Sequence, residues 1–117
     1  MLYFYNMSSE PKEDNVFRAL ANHTRRRMLD SLKEEPHTTG MLCDVFPEMD
    51  RCTVMQHLNV LEGADLIIAE RRGRERWNHI NPLPIHAIHE RWIGPHAEGA
   101  VALLAKIKRD LETSLIH

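Results

Sequence analysis

The chain has 117 residues, 43% hydrophobic and 27% charged, with a formal net charge of -2. That length holds one modest core, and the composition excludes collagen-like, low-complexity and disulfide-scaffold classes. Its two cysteines, Cys43 and Cys52, form no CxxC pair and show no zinc-finger spacing, which points to a reducing cytoplasm.

The opening MLYFYNM is apolar, lacks a basic flank and runs straight into SSEPKED. It is a poor signal peptide and far too short to span a bilayer, so no membrane partner is expected. Residues 1–12 are expected as a tail, of which 1–6 are equally consistent with a start at Met7. Residues 13–117 are expected as one folded domain.

Val16, Phe17, Leu20 and Ala21 in EDNVFRALA form the stripe of a short amphipathic helix over 13–21. A second helix is expected from Thr24 to Glu35, capped by Asn22 or Thr24, with Met28, Leu29 and Leu32 on one side and Pro36 as a stop. Arg25, Arg26 and Arg27 open it where the helix dipole disfavours cations, which calls for a compensating partner: a phosphate, or solvent at the turn. A third, two-turn helix follows, capped by Thr38 or Thr39 and ended by Pro47.

Asp50 caps RCTVMQHLNVLEGA, in which Val54, Leu58 and Leu61 line one face. At about 100° per residue the opposite side carries Cys52, Gln56 and Asn59, bordered by Arg51 and Met55. DLIIAERRGRERWNHINP then changes period and reads as a β-hairpin, with Gly73 at a tip that holds four arginines in six residues. A helix over IHAIHERWI is broken at Gly94-Pro95. A last helix, from Ala97 to about Leu115, has Ala100, Leu103, Leu104, Ile107 and Leu111 in register.

This order of elements is that of a winged helix-turn-helix, a mainly α fold with a β-hairpin wing and helical dimerisation elements at both ends. Each part has a task on DNA. In the major groove Gln56 and Asn59 can offer a paired donor and acceptor to adenine and Arg51 two donors to guanine, while Arg72 and Arg74 reach the backbone or a minor groove. Arg71 and Arg76 can instead pair with Glu70 and Glu75 and contribute little. The DNA-facing set is Arg51, Cys52, Thr53, Gln56, His57 and Asn59, with Arg72 and Arg74. The dimer interface is expected from Val16, Phe17 and Leu20 together with Leu103, Leu104, Ile107 and Leu111.

The segment from Leu20 to Pro82, above all LANHTRRRMLDSL, TVMQHLNVLEGADLI and RRGRERWNHINP, resembles the ArsR/SmtB bacterial repressors. The tail HERWIGPHAEGAVALLAKIKRDLE is similar in layout to the branch without an obvious metal site. The resemblance implies a homodimeric repressor of a palindromic operator in double-stranded DNA, released by an unknown signal. Asp65 stands where the family commonly has glycine, and it tolerates the left-handed conformation. Asn78 replaces a common wing aromatic.

Of eight histidines, His86, His89 and His96 fall in the segment of the family's α5 metal site, where neutral imidazoles suit zinc, nickel or copper. The ligand pattern departs from that site: Pro84 takes the aspartate position, nine residues separate His86 from His96, and Gly99 occupies the last place. The family's other site needs Cys-x-Cys, and the chain has Cys43-Asp44-Val45. No cofactor is therefore expected, and a metal-responsive repressor is an alternative. Another is a winged-helix protein-interaction module that does not bind DNA. With no GxSxG, P-loop or HExxH, catalysis is not expected.

Overall fold

The computed structural model describes residues 12–94 and 97–116. The tail expected over 1–12 lies outside them except for residue 12, which already belongs to the first helix. The chain divides between Ile85 and His86 into two compact units.

In the first unit, α1 runs over residues 12–20, α2 over His23–Glu34, β1 over His37–Thr38, α3 over Thr39–Val45 and α4 over Arg51–Gly63. The hairpin strands β2, Ile67–Arg72, and β3, Glu75–Ile80, follow. Local chemistry explains the starts. The side-chain oxygens of Asn22, Thr38 and Asp50 accept from the backbone N–H of Arg25, Met41 and Thr53 at 3.0, 3.1 and 2.7 Å, occupying donors that the first helical turn leaves free.

The core is built where these elements meet. Val16 and Ala19 of α1, Met28, Leu29 and Leu32 of α2, Leu42 and Phe46, then Val54, Leu58 and Leu61 of α4 are buried with Leu66 and Ile67. Val16, expected on a dimer face, is 4% exposed within the single chain and belongs to this core. Phe17 beside it is 43% exposed, because adjacent helical positions point about 100° apart.

Helix α4 ends in a left-handed turn, a conformation that favours glycine and that aspartate tolerates. Asp65 sits at φ 62°, the Asp65 N–H donates to Glu62 at 2.9 Å, and the Leu66 N–H donates to Leu61 at 2.9 Å. This pair of bonds is the Schellman closure, made here on an aspartate. Asn81, just past the end of β3, clamps the turn, its Nδ2 donating to the Asp65 carbonyl at 2.8 Å.

The sheet has order β1-β3-β2 and is antiparallel throughout. In β2·β3 the register sets Ala69 opposite Asn78, Glu70 opposite Trp77 and Arg71 opposite Arg76, with Gly73 at φ 62° in the turn. Strand β1, which periodicity did not reveal, adds two residues on the far edge of β3. Asn78 explains its position: fully buried, it donates from Nδ2 to the His37 carbonyl at 3.1 Å and to Thr39 Oγ1 at 3.3 Å.

The second unit holds most of α5, Leu83–Trp92, and all of α6, Glu98–Ile116. On α6, Leu103, Leu104, Ile107 and Leu111 are 58, 63, 43 and 60% exposed.

Candidate nucleic-acid interface

Helix α4 turns Val54, Leu58 and Leu61 fully inward. Cys52, Gln56 and Asn59, on the opposite side, are exposed, as is Arg51. Thr53 and His57 are half-buried on one flank. His57 does not face outward with the polar set. Its Nδ1 lies 3.4 Å from an Arg25 guanidinium nitrogen, against α2. Partial burial first, and the Arg25 charge second, hold the imidazole below the ordinary histidine range.

The other flank of α4 faces the wing. A groove of about 490 Å³ is lined by Thr39, by Arg51, Met55 and Glu62 of α4, and by Ala69, Arg71, Arg74 and Arg76 of the hairpin. Arg51, Met55 and Glu62 recur at helical spacing, so they form one edge; Ala69 and Arg71, two apart on a strand, form the other. Four arginines meet a single carboxylate there. Arg76 is the deepest: its side chain is 18% exposed and its NH2 lies 3.5 Å from Glu62 Oε2. That is ion-pair distance without hydrogen-bond geometry, and both Nε and NH2 of Arg76 are buried with no hydrogen-bond partner. Arg71 stands directly across from it on the same face, a like-charge pair that strand geometry disfavours and Glu62 offsets on one side.

Arg72, expected to reach phosphate, is exposed and paired within the hairpin. It lies on the opposite face of the ribbon, donating from Nε to Glu70 Oε1 at 3.0 Å with its NH2 at 2.8 Å, and it stacks 5.1 Å from the Trp77 ring centre. His79 Nε2 is 3.0 Å from the same oxygen, and Arg72 first, then His79, hold the Glu70 carboxyl below the usual range. Glu70 thus pairs with Arg72 rather than Arg71, and Arg76 pairs with Glu62 rather than Glu75. The reason is the period of two: alternate arginines of the tip point to opposite faces.

The arginines that open α2 find protein partners. Arg25 donates to the carbonyls of Ala19 and Arg18 at 2.8 and 3.1 Å, and Arg26 to that of Leu20 at 2.6 Å. Arg27 pairs with Glu48 at 3.3 Å and lies 4.9 Å over the Phe46 ring. No sequence signal separates such arginines from phosphate ligands; only the place of α1 beside them does.

His86 and His89 stack with ring centres 6.4 Å apart, and each approaches Glu90, at 3.9 and 3.7 Å. His96 lies outside the described residues. Among the described residues no group of three or more histidine, cysteine or acidic side chains is placed to hold a metal ion. Cys43 is half-buried, Cys52 is exposed and both are free thiols. No helix among the described residues is long and apolar enough to cross a membrane.

Comparison with known proteins agrees with this geometry. Residues 20–69 match the family model described as a helix-turn-helix domain. The chain is 34% identical over 68 residues to the transcriptional repressor SdpR of Bacillus subtilis, covering 58% of this chain and 74% of that one. It is 31% identical over 87 residues to the HTH-type transcriptional regulator YuzN of the same organism, covering 69% and 95%. A solved ArsR family transcriptional regulator superposes with TM-score 0.63 at 28% identity, over 87% of this chain and 92% of the other. An ArsR-like regulator from Rhodococcus sp. RHA1 shares the fold at TM-score 0.66 and 23% identity, over 92% and 96%. With the helix-turn-helix core, the three-stranded sheet and these relatives in agreement, the chain belongs to the ArsR family of winged helix-turn-helix transcriptional regulators.

Proposed function

We propose that this regulator is a homodimeric, sequence-specific repressor that occludes a palindromic operator and is released by a signal that changes the spacing of its two recognition helices. The observation that carries the reading is the shared groove. Arg51 of α4 and Arg71, Arg74 and Arg76 of the wing line one cavity, so a single duplex seated on α4 meets the wing cations as well. Exposed Gln56 and Asn59, on the neighbouring face of α4, then meet base edges in the major groove.

Two copies suit the chemistry better than one, because a chain of net charge -2 has little long-range attraction for DNA. The apolar side chains of α6 and Phe17 supply surface for the pairing. Repression is the activity named for the relative SdpR.

Footprinting on the DNA upstream of its own gene tests the reading. A protected site with two symmetric halves about one helical turn apart is expected. Failure to retard any duplex, even at low salt, overturns it in favour of a protein-interaction module.

A further inference from the structure

His57 sits in the middle of the recognition helix and yet is turned away from its exposed face. Its contact is Arg25, and an arginine side chain only donates, so the Nδ1 that faces it at 3.4 Å must present a lone pair. The neutral ring therefore carries its hydrogen on Nε2. Arg25 is not free to turn aside, because its Nε and its second terminal nitrogen are bound to the carbonyls of Ala19 and Arg18 at the end of α1.

We infer that His57 is a positioning residue of the DNA-binding reaction: through Arg25 it sets the seat of α4 against the end of α1, and protonation of its ring weakens operator binding. The inference rests on the DNA-binding reading above. A protonated imidazole has two donors and no acceptor, and it meets a fixed guanidinium of the same sign. The repulsion pushes the ring away from Arg25, and in this proposal α4 moves with it, which changes the angle at which Gln56 and Asn59 are presented.

After burial, the charge of Arg25 is what holds the ring below the ordinary histidine range. The neighbouring cations of α2 are engaged elsewhere, Arg26 with Leu20 and Arg27 with Glu48. On α1, Arg18 donates to Asn15, and on β2 the carboxylate of Glu70 is bound by Arg72 and His79. Weaker binding in acid opposes the general trend, since a protein gaining positive charge ordinarily binds DNA more tightly.

The test uses the full chain, its footprinted operator duplex and fluorescence anisotropy at constant ionic strength at pH 7.5 and 5.0. Relative to His57→Gln, which keeps an acceptor but cannot titrate, the unmodified protein should lose about five- to tenfold in affinity at the lower pH. Long-range proton–nitrogen correlation spectra of the free protein at pH 7.5 should place the His57 ring hydrogen on Nε2. Parallel pH profiles with tight binding by both proteins overturn this inference alone, as does a ring hydrogen on Nδ1. Absence of binding by the unmodified protein overturns the DNA-binding reading and this inference together.

Discussion

The Nε–H of Arg25 donates to the carbonyl oxygen of Ala19 at 2.8 Å, so the first turn of α2 closes the last turn of α1. Cations at the start of α2 oppose that helix's own dipole, but they face the C-terminal carbonyls of α1, where positive charge is favoured. Replacing Arg25 by alanine should lower stability by about 1.5–3 kcal/mol in urea titration, the range for hydrogen bonds involving a charged group. Arg25→Lys should recover part of this, since an ammonium lacks the fork that spans two carbonyls.

The two faces of the wing present different arginines, Arg71 and Arg76 on the groove side and Arg72 on the other. Arg71→Ala with Arg74→Ala should weaken binding to all duplexes and reduce the slope of log affinity against log salt by about 1.8, about 0.9 for each phosphate that is no longer neutralised. Arg72→Ala, which removes the partner of Glu70 on the opposite face, should leave that slope unchanged. Equal slopes for the two variants would contradict the assignment of faces.

Asn78 ties the hairpin to the start of α3, bonding both His37 and Thr39 from a buried position. Asn78→Ala should cost about 2–3 kcal/mol, because it leaves buried acceptors without their donor and opens a small cavity. Hydrogen exchange resolved by residue should show β1 losing protection first, ahead of the β2·β3 ladder.

Acid should weaken the fold in a defined direction. The Thr53 backbone N–H, and next its hydroxyl, hold the Asp50 carboxyl below its ordinary value. A carboxyl whose folded pKa is depressed stabilises the native state fully above its unfolded value, near pH 4, and loses that contribution as pH falls through the folded value. Glu70, held down by Arg72, adds in the same sense. Denaturation followed from pH 6 to 2 should show stability falling in the acid limb, and Asp50→Asn, which keeps a capping oxygen, should flatten it.

What the sequence alone determined is what hydrogen bonds and side-chain periods decide within a few residues. Asp50 begins α4 because its oxygen reaches a donor three residues on, and the same rule narrowed the other caps to Asn22 or Thr24 and Thr38 or Thr39, of which the structure uses Asn22 and Thr38. Val54, Leu58 and Leu61 face inward, leaving Gln56 and Asn59 outside, because a helix repeats every 3.6 residues. Tertiary structure decided the rest, since it depends on segments far apart in the chain. Two-residue β1 exists because β3 and Asn78, about forty positions later, hold it. Arg25 and His57 meet because α2 and α4 cross, and Arg71 and Arg76 rather than Arg72 enter the groove because strand register gave that face of the ribbon to α4.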